Sequence, residues 1–168
     1  MATDWHLANS LIQALTQRQR DQVDGLMAQL QATERALSSD RAAGDAMAQG
    51  RVDYLLDLAH SSAGAFLTAI TGEQIIGFCV VIITKEDECD LHLQDSFKQA
   101  GEVTDLIVHP NHRKRGIGRA LISAASAHCQ ARGVRQLKLK TLAQNFQARH
   151  AFEALGFRPH EIIHTIDL

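Results

Sequence analysis

Apolar positions along the chain change period several times, and each change marks an element. In residues 18–37, Val23, Leu26, Met27, Leu30 and Leu37 recur at helical intervals, which predicts a helix with one face on a core. The shorter run before it, with Leu11, Ile12 and Leu15, suits either a helix or an opening strand. Around Gly44 to Gly50 the pattern loosens, and then Val52, Leu55, Leu56 and Ala59 form the stripe of a second helix. Tyr54 falls beside that stripe and is expected in the core. Next, "AFLTAI" and "IIGFCVVIIT" flank the dipeptide Thr71-Gly72, the signature of a β-hairpin. A polar stretch leads to "EVTDLIVH", a third strand. Beyond two glycines, Ile117, Leu121, Ala125, Cys129 and Arg132 mark a helix that Gly133 should stop. "VRQLKLKT" alternates Leu137 and Leu139 with polar residues, as a strand with one wet face does. Asn145 can cap a short helix ended by Gly156, and "EIIHTIDL" reads as a last strand. The expected fold is one α/β domain over residues 1–168, a mixed and mostly antiparallel sheet flanked by helices.

Composition narrows the classes of function. The chain has 168 residues and a formal net charge of −2, so it lacks the basic excess with which domains grip nucleic acid. Its longest apolar run, residues 75–83, is too short to span a bilayer, and the first ten residues lack the basic and apolar regions of a signal peptide. A cytoplasmic protein is expected, with no nucleic acid and no membrane among its partners. Cys79, Cys89 and Cys129 show no paired spacing, as reduced structural thiols would not. Cys89 and His92 are too few for a persuasive zinc site, so no metal is expected.

The chemistry concentrates between the third strand and the following helix, in Arg113-Lys114-Arg115-Gly116-Ile117-Gly118-Arg119. Unpaired N–H groups at a helix start carry partial positive charge, and glycine lets an oxygen-rich ligand approach them. Four cations beside them suit a ligand with several phosphates. A solvated basic turn is the plainer alternative. The P-loop pattern is absent, and a dinucleotide fingerprint from Gly116 would need a small residue at Leu121.

Two segments resemble the GNAT superfamily of acetyl-CoA-dependent N-acetyltransferases. "EVTDLIVHPNHRKRGIGRAL" is similar to that family's strand and its Arg/Gln-x-x-Gly-x-Gly/Ala signature, here Arg113, Gly116 and Gly118. "NFQARHAFEALGF" resembles its second motif, an Asn, an Ala three residues on, an aromatic-Glu pair and a Leu-Gly-Phe ending. The resemblance implies acetyl-CoA as cosubstrate, with its diphosphate on the amides of Arg115, Gly116, Ile117, Gly118, Arg119 and Ala120 beside Arg113 and Lys114. It implies a pantetheine arm along the backbone of Leu106, Ile107 and Val108, with Asn145 and Phe152 near the coenzyme. The acceptor would be a primary amine, on a small cationic molecule or a protein, attacking the thioester directly; a homodimer is compatible with this.

By the same resemblance Glu102, eleven residues before Arg113, is a candidate general base, and Asp105 a second. Glu102 as a solvent-exposed strand start, and Asp105 as a residue that fixes the strand, are the structural alternatives. Many relatives carry tyrosine, a proton donor to the departing thiolate, where this chain has Phe152, which has no proton to give. That departure also suits a non-catalytic acyl-CoA sensor. The acidic loop Glu86, Asp87, Glu88, Asp90 and Asp95 would draw a cationic acceptor, or is simply a solvated loop. His109 and His112 flank the phosphate turn and are assigned nothing.

Overall fold

The first long helix, α1 (Gln17–Arg35), begins at Thr16, whose hydroxyl accepts from the Gln19 amide while the Gln19 side chain takes the Thr16 amide. That reciprocal cap settles the start, and Val23, Leu26 and Met27 are buried as the spacing predicts. The computed structural model describes residues 4–11, 14–87, 89 and 92–166. Helix α2 (Gly44–Ser61) starts eight residues before its apolar stripe, in the segment where the pattern loosens. Gly44 explains the disagreement: a Cβ there would stand 2.6 Å from the Ala28 carbonyl oxygen of α1, so the glycine permits a close helix crossing. Arg20 and Asp53 form an ion pair across the same crossing.

Strands β1 (His6–Asn9), β2 (Ala65–Thr71), β3 (Gln74–Lys85), β4 (Gln99–Val108) and β5 (Leu137–Leu139) form one sheet in chain order. The first three pairings are antiparallel and β4–β5 is parallel, the mixed, mostly antiparallel sheet expected. Helices α1 and α2 cover one face over Phe66, Ile75, Phe78, Val80 and Ile107. On the other face, α3 (Ile117–Gln130) packs Leu121, Ala125 and Cys129 onto Leu67, Ile76, Val81 and Val103. The short α4 (Phe146–Ala154) follows β5. No helix of the described residues is long and apolar enough to cross a membrane.

Several expectations need correction. Residues 10–11 form a turn and 14–16 no regular element, while the opening strand lies earlier, at His6–Asn9; Ile12 is outside the described residues. Tyr54 is 53% exposed because its ring lies under the Arg51 guanidinium, 5.5 Å away, at the surface of α2. Arg132 is exposed, one residue past the C-cap of α3. Residues 161–166 form no strand, and 167–168 lie outside the described residues.

Candidate acyl-CoA site

β5 has only three residues, so it covers β4 only at Gly101, Glu102 and Val103. From Thr104 to the end of the strand β4 is bonded to β3 alone, and the sheet opens there. The His109 amide donates to the Ile76 carbonyl of β3 (2.8 Å). Alternation along the strand therefore turns the N–H and C=O of Ile107 toward β3 and those of Leu106 and Val108 toward the opening. Ile107 contributes its side chain to the α1/α2 core instead.

Below the opening, the chain passes through a 3-10 turn (Pro110–His112) and reaches the start of α3. Lys114 and Gly116 both adopt left-handed backbone, at φ 59° and 81°. No side chain caps α3, and its first internal bond runs from the Ala120 amide to the Gly116 carbonyl (3.0 Å). The amides of Ile117, Gly118 and Arg119 are thus left pointing out of the helix start, where the peptide dipoles concentrate positive charge. Ala120, placed by the sequence among the phosphate-binding amides, spends its N–H inside the helix.

The four cations divide their work. Arg113 folds back and donates from Nε to the Val108 carbonyl (3.1 Å), strapping the turn to the open end of β4. Arg115 donates to the Asp4 carboxylate (2.6 Å) and lies 3.1 Å from His112 Nδ1. Its hydrogen bond holds the Asp4 carboxyl below the ordinary value. Arg119 donates to the Ala154 carbonyl at the end of α4 (3.0 Å). Lys114 is exposed.

The two candidate bases share a face, and a bulge puts them there. Val80 of β3 faces Asp105 while Val81 faces Val103, so Thr104 is an extra residue in β4. Glu102, opposite Ile82, and Asp105, opposite Val80, consequently both point to the α1/α2 side. Their surroundings differ. Asp105 is buried and receives the Arg51 guanidinium at 3.0 Å; burial pushes its carboxyl up and Arg51 opposes the shift. Glu34 of α1 joins this cluster, raised by burial with Asp105 adding, against Arg41 and Arg51. The Glu102 side chain is 23% exposed and 3.0 Å from Lys140 Nζ, just past the end of β5. Neither the Arg51 nor the Lys140 partnership is visible in sequence, since 54 residues separate Arg51 from Asp105.

Asn145 caps α4, accepting from the Ala148 amide (3.0 Å), so that structural role is filled. Phe152 packs edge-on against Phe157, ring centroids 6.1 Å apart, and is half-buried. In the acidic loop, Asp95 pairs with Lys98 (3.1 Å), while Glu88 and Asp90 lie outside the described residues.

A mixed sheet parted between its fourth and fifth strands, with an uncapped helix start under the gap, has the architecture of the acyl-CoA N-acyltransferases. The model of the acetyltransferase (GNAT) family matches residues 30–157. A streptothricin acetyltransferase of Streptomyces lavendulae is 36% identical over 62 residues, 37% of this chain and 33% of that protein. An uncharacterised N-acetyltransferase of Methanocaldococcus jannaschii is 28% identical over 100 residues, 60% of this chain and 41% of that one. The match thus spans less than half the length of either curated relative. Among solved structures, a point mutant of a Bacillus halodurans protein superposes with a TM-score of 0.80 at 18% identity, covering 97% of this chain and 99% of that one. An aminoglycoside N-acetyltransferase solved with coenzyme A superposes at 0.67 and 18% identity, covering 98% and 94%. The chain belongs to the GNAT acetyltransferase family.

Proposed function

We propose that this protein is an acetyl-CoA-dependent N-acetyltransferase that binds coenzyme and a primary amine together and lets the amine attack directly. The observation that carries the reading is the junction of two backbone sets: the uncapped amides of Ile117, Gly118 and Arg119, and the edge of β4 left uncovered by β5 at Leu106 and the Val108 amide, the Val108 carbonyl being taken by Arg113. These residues fit the coenzyme, a diphosphate on the first set and the amide-rich pantetheine along the second, with Lys114 adding charge. When bound, acetyl-CoA supplies an acyl carbon activated as a thioester.

The remaining work belongs to this chain. An outward N–H of β4 is positioned to stabilise charge developing on an acyl oxygen. Glu102 is the group we assign to take the proton of the acceptor ammonium, directly or through water, because Asp105 is already committed to Arg51 in a buried pair. Carboxylates of Glu34 and Glu102 on the α1/α2 side suit a cationic acceptor, a small amine or a protein amine. With Phe152 unable to donate a proton, the thiolate of the product leaves as the anion or is protonated by water; a thiol of pKa about 8.5 permits this. The test is acetyl transfer from labelled acetyl-CoA across a panel of amines, run beside a calorimetric titration with the coenzyme. Binding together with amine-dependent release of free thiol supports the reading, and absence of binding ends it.

Phe152 favours one second reading, a sensor that binds acyl-CoA without turning it over. Saturable binding with no thiol release on any amine of the panel would select it.

A further inference from the structure

The sequence has five lysines, Lys85, Lys98, Lys114, Lys138 and Lys140, and the last of them holds its Nζ 3.0 Å from Oε1 of Glu102. The strand pairing puts it there. Gly101, Glu102 and Val103 of β4 face Leu137, Lys138 and Leu139 of β5, and Leu137 and Leu139 pack on the α3-side core. Alternation therefore turns Lys138 and Lys140 to the α1/α2 side, the side on which Glu102 lies. Lys138 is half-buried beside the covered part of β4, whereas Lys140 follows the last β4–β5 pair and its side chain is 75% exposed. A primary amine on a flexible four-carbon stem thus stands at the mouth of the opening.

An ammonium against Glu102 is the position assigned above to the acceptor. The β4 backbone that faces the opening begins at Leu106, two residues past Thr104 and so about 7 Å further along the strand. Lys140 can cover that distance by turning its stem, because an ion pair with so exposed a lysine holds it weakly.

We propose that Lys140 is a self-acetylation site: while no amine fills the acceptor position, its Nζ takes the acetyl group from acetyl-CoA bound to the same chain. The step rests on the proposed function, since it needs the acyl-CoA site and the base assigned there, and it needs no other reactant. One proton of the Lys140 ammonium passes to Glu102, and the freed lone pair of Nζ forms the bond to the acetyl carbon. The C–S bond breaks with its electron pair going to sulfur, and the second proton passes from the nitrogen through water to the thiolate. The product is a neutral amide. Glu102 then loses the cation beside it, so an arriving acceptor ammonium no longer has a lysine to displace.

The test is incubation of the whole chain with labelled acetyl-CoA and no amine, followed by isoelectric focusing and by mass spectrometry of peptides that report all five lysines. One acetyl group per chain is expected, on Lys140, formed at least about tenfold faster than on Lys114 or Lys138, the spontaneous background at lysines without such placement. The rate constant should not change between about 1 and 100 µM protein, because both reacting groups sit on one chain. Glu102→Gln should slow the modification about 100-fold, the scale of general-base catalysis. Lys140→Arg keeps a cation beside Glu102 and should reduce the label to background. Lys140 labelled no faster than Lys114, labelled at a rate proportional to protein concentration, or labelled equally fast in Glu102→Gln overturns the proposal. Coenzyme binding and amine-dependent thiol release in that same preparation would show that self-acetylation alone has failed, whereas absence of coenzyme binding ends both readings.

Discussion

Replacing Gly116 by alanine separates what the phosphate turn does for the ligand from what it does for the fold. Gly116 sits at φ 81° and a Cβ there meets nothing within 4 Å, so the substitution introduces backbone strain without a clash. An L-residue in left-handed conformation costs about 1–2 kcal/mol. In a domain of this size that lowers Tm by roughly 2–8 °C. Gly133, at the far end of α3, supplies a matched control: φ 76°, and again nothing within 4 Å. Gly133→Ala should therefore cost the same stability while leaving coenzyme binding unchanged. Gly116→Ala should in addition relax the turn toward negative φ and misdirect the amides of Ile117 and Gly118, weakening coenzyme binding by at least tenfold, or about 1.4 kcal/mol. Thermal denaturation and calorimetric titration of both variants decide the matter. Equal coenzyme affinity in the two, at equal loss of Tm, would mean that the α3 start does not hold the diphosphate.

Three further expectations follow from side-chain partners. Glu102→Gln should lower turnover about 100-fold or more, the scale of general-base catalysis, with coenzyme affinity changed less than about twofold; steady-state kinetics beside calorimetry would show otherwise if both fell together. Arg51→Met should destabilise in a pH-dependent way. Burial raises the Asp105 carboxyl above its ordinary 3.8, so its desolvation cost appears as pH climbs from that value through the raised one, and loss of Arg51 removes the opposing charge. The deficit should be small near pH 4 and reach about 1–3 kcal/mol at pH 8, less than for a fully buried pair because the Arg51 side chain is 33% exposed. A deficit that is flat with pH in urea titrations would refute this origin. Asp4→Asn should release Arg115 and tighten coenzyme binding by about two- to fivefold at low salt, an effect that vanishes near 1 M salt and in an Arg115→Ala background.

Local chemistry was legible in this sequence, and pairing at a distance was not. The Thr71-Gly72 turn, the Asn145 cap and the α3 periodicity are encoded within a few residues, and the structure reproduces them. β1 is four residues long and its burial comes from pairing with β2 some 60 positions later, so no local period announces it. α2 was read short because Gly44 looks like a breaker when it is a contact surface for Ala28. At the site, the glycine turn was visible as a motif. The assignment of Arg115 to Asp4, Arg119 to Ala154 and Arg51 to Asp105 was not, because each bond spans 35 residues or more. Residues 161–166 show the converse failure: their composition encodes a strand, yet they pair with no strand among the described residues.

The extra residue in β4 is what gives the two carboxylates different fates. Residues three apart on a regular strand point to opposite faces, so without Thr104 in the bulge Glu102 and Asp105 would be divided between the α3 side and the α1/α2 side. With it, both face the helices that carry Arg51 and Glu34. Asp105 then takes the Arg51 guanidinium and fixes α2 against β4. That bond neutralises the carboxylate nearest the open edge and ties the strand, at the point where it loses β5, to the opposite layer. Glu102 lies on the covered side of the same boundary, one residue before the last β4–β5 pair, with an exposed lysine for a partner. A lysine that is 75% exposed is displaced by an arriving ammonium far more readily than a guanidinium over a buried aspartate. Glu102, the base we propose, is therefore the carboxylate that can change partners, and the bulge is the feature that turns both carboxylates to the same side of the sheet.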